Sequence, residues 1–296
     1  MTAVYHEGSR AVQERVGVRD LADHVGRSIG SGVKPVAAAF LELQPLLLVG
    51  AADPATGRVW ASALTGTPGF ARATGPHRVS VAATPAAHDP LAAALAASGT
   101  EVGTIALDPR TRRRMRLNGV AEPTERGFAV AAGQVFANCP KYLQKRESYE
   151  VVADRAPRPP RRGTRLTGAQ AAFLAAADTA FVATVRPEGA DASHRGGHPG
   201  FLRVDSPYLL SWRDYPGNSM FLTLGNLAAD PRAGLLVLDW TTGTTLQLTG
   251  EARTEFSADG DRTVRFAIEA TVETPAALPL RWSAPQYSPA NPLPAR

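Results

Sequence analysis

Residues 62–70 read SALTGTPGF and residues 193–201 read SHRGGHPGF. Ser, Gly, Pro, Gly and Phe coincide at one offset of 131 residues. Working outward at the same offset, Gly103 falls on Gly234, Leu107-Asp108 on Leu238-Asp239, Leu117 on Leu248 and Gly119 on Gly250. Isolated glycine matches arise by chance in a chain with 27 glycines. A shared Pro-Gly-Phe and a shared Leu-Asp in one gapless register do not. The chain therefore reads as two copies of one fold.

Length agrees: 296 residues, set against about 150 per domain, leave room for two units. The expected organisation is a helical lead-in at 1–35, copy one at 36–152, a linker at 153–165, copy two at 166–285 and a tail at 286–296. Apolar residues at roughly helical spacing over Glu7–Ile29 support the lead-in. The linker, ADRAPRPPRRGTR, is rich in Pro and Arg and reads as stiff, exposed polyproline II. Inside each copy short strands dominate: Leu46–Ala51, Val59–Leu64, Val102–Leu107 and Thr111–Gly119 in the first, then Ala180–Val185, Tyr208–Trp212, Ala233–Asp239 and Thr244–Gly250 in the second. Thr241–Gly243 turns Ala233–Gly250 into a hairpin. Short helices fit Pro90–Ala97, Gly168–Ala177 and Ser219–Ala229. The fold class is mainly β with minor α, a small antiparallel barrel in each copy.

Composition excludes several classes. One cysteine, Cys139, rules out a disulfide scaffold and multi-cysteine metal sites. The longest apolar run, Pro45–Ala52, has the length of a strand and not of a membrane span. The N-terminus shows no signal-peptide pattern, so a cytoplasmic protein is expected. The net charge is +5, and three lysines among 32 basic residues leave 29 arginines. The densest run, Arg110–Arg116 (RTRRRMR), reads as the solvated face of a strand, and no nucleic-acid motif accompanies it. Neither nucleic acid nor membrane is expected as a partner. G-x-G-x-x-G, P-loop and G-x-S-x-G motifs are absent.

Copy two carries the polar, glycine-rich segments. Ser193, Arg195, Gly196 and Gly197 place a hydroxyl, a guanidinium and backbone N–H groups together after a strand. Asp214–Asn218 (DYPGN) is a turn running into a helix expected to begin near Ser219, whose free N–H groups suit an anion. With Arg213 nearby, the two segments would cradle a phosphate. Copy one has lost these features, with Leu64 at the place of Arg195 and Ala87 at that of Asn218. Its distinctive segment is Gln134–Arg146 (QVFANCPKYLQKR), which gathers Asn138, Cys139, Lys141, Tyr142 and Arg146.

SHRGGHPGF, DYPGN, LGNLAADPRAGLLVLDW and LQLTG in copy two resemble the pyridoxamine 5'-phosphate oxidase-like family, the FMN-binding split barrels. ASALTGTPGF and VGTIALDPRTRRRMRLNG carry the resemblance more weakly in copy one, and NCPKYLQKR is similar to the ending of related members. The resemblance implies two tandem split barrels in an intramolecular pseudo-dimer, with FMN between them. It places Ser193, Arg195, Tyr215, Gly217, Asn218 and Ser219 on the phosphate and ribityl side. It places Gln247 on the strand passing the isoalloxazine, and Asn138, Lys141 and Tyr142 in the cover from the opposing barrel. The implied activity is flavin-dependent oxidoreduction of a small molecule by hydride transfer through N5. Lys141 is the cation expected near N1 and the C2 carbonyl, with Arg146 second. Dioxygen or a reduced nicotinamide would be the redox partner, and the fused pair could itself dimerise.

The chain departs from true pyridoxamine phosphate oxidases. Pro199–Arg203 (PGFLR) stands where they carry Arg-x-Val-Leu-Leu-Lys, and Pro279–Trp282 (PLRW) offers no substrate-phosphate motif. Vitamin B6 oxidation is not implied. The alternative function is a non-catalytic split barrel binding flavin, deazaflavin or haem. His194 and His198 are spaced i,i+4, but Gly196, Gly197 and Pro199 argue against the helix that metal ligation would need, so no metal is expected. A fused, diverged pair need keep only one of the two sites of a symmetric dimer.

Overall fold

The computed structural model describes residues 4–137, 139–186 and 189–292. Its N-terminal third opens with helices α1 (Glu7–Val16), α2 (Arg19–Gly26) and α3 (Pro35–Glu42). The first barrel follows as β1 (Leu46–Ala52), β2 (Val59–Thr65), β3 (Ala71–Gly75), β4 (Arg78–Val81), helix α4 (Ala92–Ala96), β5 (Thr100–Asp108), β6 (Arg113–Thr124) and β7 (Gly127–Ala137). Short strands β8 (Tyr149–Val151) and β9 (Arg161–Gly163) lead to the second barrel. It contains α5 (Gly168–Ala176), β10 (Thr179–Arg186), β11 (Gly189–Gly196), β12 (Arg203–Ser206), β13 (Leu209–Arg213), α6 (Leu222–Ala229), β14 (Arg232–Leu238), β15 (Thr245–Phe256) and β16 (Arg262–Thr274), followed by β17 (Leu280–Trp282).

The two sheets have one topology. The first runs β2-β1-β5-β6-β7-β4-β3 and the second β11-β10-β14-β15-β16-β13-β12, all antiparallel. The shared sequence positions explain this locally. Phe70 N–H donates to the Thr67 carbonyl (2.9 Å) and Phe201 N–H to the His198 carbonyl (3.0 Å), closing a tight turn in each copy. Gly69 and Gly200 sit at φ +97° and +88°, as a turn with Pro at its second position and a left-handed third residue requires. The shared aspartates open equivalent hairpins. Asp108 Oδ1 accepts from Arg110 N–H, and Asp239 Oδ1 accepts from Thr241 N–H and Thr242 N–H. The register slips between β6 and β7 at Asn118/Gly119, and between β15 and β16 at Thr249/Gly250. A Cβ on Gly119 would lie 1.9 Å from the Ala131 carbonyl oxygen, and one on Gly250 1.9 Å from that of Ala267. Each glycine is fixed by the same bulge.

Each barrel has its own apolar core, a third lies at the seam, and a smaller cluster joins Tyr5 and Ala22 to Phe136, Met220 and Leu222. Strand β1 alternates between two of them: Leu47, Val49 and Ala51 fill the first barrel, while Leu46 and Leu48 face the second copy. Strand β10 does the same, with Ala180 and Val182 inside its barrel and Phe181, Ala183 and Val185 at the seam. Burial on both faces explains why these strands are continuous apolar runs. Each such leucine contributes about 1.5–3 kcal/mol on burial. At the seam, a Cβ on Gly103 would come within 2.3 Å of the Ala192 nitrogen, and one on Gly234 within 2.7 Å of Trp60 Cα. The other shared glycine pair thus lets the two barrels approach each other through equivalent strands.

The helical lead-in contains α1 and α2: Gly17, at φ +72°, ends α1 by donating to the Glu14 carbonyl. Helix α1 lies on the second barrel. Val12 enters the second core, and Gln13 Nε2 donates to the Met220 carbonyl (2.9 Å). Residues 153–165 do not form a free polyproline spacer. Arg161–Gly163 pair with β16, and Arg155 donates to the carbonyls of Leu280 (2.8 Å) and Thr241 (2.9 Å). Arginine fastens this segment because its planar fork reaches several carbonyls at once. Strands β7 and β16, unanticipated from sequence, complete the sheets.

Candidate functional site

A cleft opens at the seam. Its wall from copy two is the end of β11, the DYPGN turn and the start of α6. Its wall from copy one is β6 and the segment Cys139–Tyr142. Ser193, Arg195, Gly196, Arg213, Tyr215, Gly217, Asn218, Ser219, Lys141 and Tyr142 all line it. Asn138 lies outside the described residues. Ser193–Gly196 belong to strand β11 itself, not to a loop after it. The serine is buried in a chain of hydroxyls, with Thr223 Oγ1 donating to Ser193 Oγ (2.9 Å).

The helix begins at Leu222, three residues later than the spacing suggests, because Ser219 (φ +60°) and Phe221 (φ +53°) hold left-handed conformations. Non-glycine residues rarely adopt these, and two in one turn mark a constrained bend. Asn218 Oδ1 accepts from Met220 N–H (3.2 Å) and helps to set it. Leu222, Thr223 and Leu224, whose N–H groups have no partner within the helix, form part of the cleft wall.

Tyr142 joins the two copies. Its hydroxyl donates to the Pro216 carbonyl (2.9 Å), and its ring lies 5.1 Å from that of Tyr215. Its carbonyl oxygen passes so close to Gly196 that a Cβ there would sit 2.1 Å away, so a contact between the copies fixes this glycine. Beneath, the buried Gln144 donates to the carbonyls of Tyr142 (3.0 Å) and Gly197 (3.2 Å), while its Oε1 accepts from Ser288 N–H and Asn291 Nδ2. The tail through Asn291 therefore packs under the site.

Two cations of the cleft come from the arginine run. Arg116 is buried, pairs with Asp191 of copy two, and stacks its guanidinium 4.8 Å from the Phe136 ring centroid. Arg114 Nη1 lies 2.9 Å from His194 Nδ1, and Arg114 Nη2 donates to the Cys139 carbonyl (2.7 Å). No carboxylate pairs with Arg114 among the described residues. Burial, reinforced by Arg116 and Arg195, pushes its pKa down to about 9. Arg195 lies 3.6 Å from Asp214, a carboxylate it shares with Arg262 (3.0 Å); burial, as the largest cause, lowers its pKa as well. The Nε atoms of Arg114, Arg116 and Arg195 are enclosed without a partner, and so is His194 Nε2. Enclosed donors without acceptors are costly unless a ligand supplies the acceptors.

The run Arg110–Arg116 is therefore not a solvated face. Arg113 is exposed, but Arg114 and Arg116 turn into the seam, on the face of β6 that meets β11 of copy two. Gln247 needs a second correction. It donates to the Ala61 carbonyl (3.0 Å), Ser62 Oγ (2.9 Å) and Asp89 Oδ2 (3.2 Å), and it lines a different cavity. The offset of 131 explains it: Gln247 corresponds to Arg116, and the strand of one copy serves the cradle of the other. Applied to Gln247, that offset would have found Arg116 from sequence. Arg146 is the third correction. It forms a buried pair with Asp178 (2.7 Å) and lies over Trp240, outside the cleft. His198 stacks on Tyr287 with ring centroids 4.7 Å apart. No group of three or more His, Cys, Asp or Glu is placed to hold a metal among the described residues, and no helix among them is long and apolar enough to cross a membrane.

Residues 166–284 match the family model described as pyridoxamine 5'-phosphate oxidase, so the second barrel is of the pyridoxamine 5'-phosphate oxidase-like kind. Solved structures are matched by about a third of the chain. An FAD-binding protein from Mycobacterium smegmatis is 14% identical, with 39% of this chain and 98% of that one covered and a TM-score of 0.27. An FAD-binding protein from Mesorhizobium loti is 13% identical, covering 39% and 97% at a TM-score of 0.28. HupZ from Group A Streptococcus is 14% identical, covering 35% and 90% at a TM-score of 0.28. No curated protein matches the chain.

Proposed function

We propose that the chain is an FMN-dependent oxidoreductase with one flavin site, at the seam cleft, acting on a small molecule. One observation carries the reading: the Nε atoms of Arg114, Arg116 and Arg195 and Nε2 of His194, drawn from both copies, are enclosed there without a partner among the described residues, and none of those residues offers Arg114 a carboxylate. A phosphate ester with a flat, acceptor-rich ring fits that donor set. FMN, when bound, supplies hydride transfer through its N5. Arg195, Asn218, Ser219 and the first N–H groups of α6 are the groups for the phosphate. Arg114 and Arg116 favour negative charge in the cleft, a role the sequence suggested for Lys141. Lys141 lies at the cleft wall, exposed and without a hydrogen bond or ion pair among the described residues. Tyr142 and Tyr215 shield the cleft from water.

Purification tests the reading directly. The protein should be yellow, and denaturation should release FMN, identified by mass, at one per chain. A colourless protein that binds no added FMN would refute it. Oxidation of a reduced nicotinamide by dioxygen over many turnovers would separate an enzyme from a carrier. A deazaflavin such as that named in F420 reductase, one of the matched structures, would be distinguished by its spectrum.

A further inference from the structure

We infer that Arg114 locks His194 as the neutral tautomer carrying its proton on Nε2, so that this ring presents one fixed hydrogen-bond donor to the ligand of the cleft. The inference deepens the flavin reading by naming a positioning residue for that site. Arginine has only donors. With Arg114 Nη1 2.9 Å from His194 Nδ1, Nδ1 must accept, and the single ring proton of a neutral imidazole must then sit on Nε2. Nε2 is enclosed in the wall of the cleft and has no partner. The ring, 7% exposed, cannot turn over to exchange its nitrogens without breaking the Arg114 contact. Phe181 from β10 holds it edge-on, with ring centroids 5.9 Å apart, and its Cε1 lies 2.9 Å from where a Gly196 Cβ would be.

The charged groups facing the imidazole are both cations: Arg114 from β6 of copy one and Arg195 from its own strand. Burial first, and these two charges after it, hold its pKa well below the ordinary histidine value. Arg114 in turn is held by the Cys139 carbonyl. A contact between the copies therefore sets the donor pattern of a residue on copy two. The counterpart of His194 in copy one is Ala63, so the device exists at one cleft only.

The test has two arms. The first is nitrogen-15 NMR of the histidine side chains in the ligand-free protein, with His194 assigned by loss of its signals in His194→Gln. A bare Nδ1 and a protonated Nε2, unchanged from pH 7 to pH 5.5, are expected, and Arg114→Met should release the lock, so that the neutral ring shows a mixture of the two tautomers while burial and Arg195 still hold its pKa down. A mixture of tautomers, or protonation near pH 6.5 in the wild type, would overturn the inference. The second arm is FMN affinity by fluorescence quenching. His194→Gln, which keeps a donor near the Nε2 position, should bind within about threefold of wild type. His194→Leu should bind roughly tenfold more weakly, the loss of one hydrogen bond. Equal affinity for the leucine variant would show that Nε2 serves no ligand. The NMR arm needs no flavin, so a failure of the FMN reading itself leaves the histidine assignment separately decided.

Discussion

The two clefts made by the pseudo-symmetric pair have diverged completely. The first is built from β11 and the DYPGN turn of copy two with β6 of copy one. The second is built from β2 and residues 84–89 of copy one with β15 of copy two. At matched positions, Asp191, His194, Arg195, Arg114 and Arg116 of the first are replaced by Trp60, Ala63, Leu64, Thr245 and Gln247. The second cleft is lined by no arginine among the described residues, and its polar groups bond to one another. Ser62 Oγ donates to Asp89 Oδ1 (2.6 Å), Leu91 N–H to the same oxygen (2.8 Å), and Gln247 Nε2 to Asp89 Oδ2 (3.2 Å). One cleft encloses donors without partners among the described residues, whereas the other bonds Ser62, Asp89 and Gln247 to one another. Fusion made this possible, because a homodimer cannot change one site without the other.

The largest effect should come from separating the charges at the first cleft. Asp191→Ala strands the buried Arg116, and we expect a loss of about 3–5 kcal/mol in urea unfolding. A loss below 1 kcal/mol would show that the pair is solvated. Next comes ligand binding. Arg195→Ala should weaken FMN binding by roughly a hundredfold, a cost of about 2–3 kcal/mol for a charged hydrogen bond. Gln247→Ala should leave FMN affinity unchanged. If Gln247→Ala emptied the protein, the assignment of strands to clefts would be reversed.

The bulges allow a comparison in which the two halves should agree. Gly119→Ala and Gly250→Ala force the same clash with a carbonyl, and each should cost about 1–3 kcal/mol. Very unequal costs would mean that the bulges are not equivalent.

The smallest effect is a pH dependence confined to the first cleft. His194 has a depressed pKa in the fold, so the unfolded chain takes up its proton first as pH falls. The stability it contributes is present above about pH 6.5 and is lost below, by about 1.4 kcal/mol per pH unit until the folded ring protonates. The ligand-free His194→Gln variant should lack this part of the slope between pH 6.5 and 5.5. An unchanged slope would assign it to other groups.

The repeat showed two copies of one fold, and the strand pattern within each gave the fold class. Pro68-Gly69-Phe70 with its twin, the paired aspartates and the paired bulge glycines are backbone requirements, and backbone requirements leave fixed residue types at fixed spacing. Ser193, Arg195, Tyr215 and Asn218 were legible for the same reason, since they sit on turns and strand ends where composition is unusual. The arginine run was misread because its burial depends on a partner surface 75 residues or more along the chain. Nothing local distinguishes Arg114 and Arg116, turned into the seam, from Arg113, turned to water. Likewise, sequence showed that Gln247 lies on the right kind of strand but not which cleft that strand serves. Only the tertiary arrangement, in which each copy completes its neighbour's cradle, decided that, because charge burial is a property of two surfaces brought together and not of either one alone.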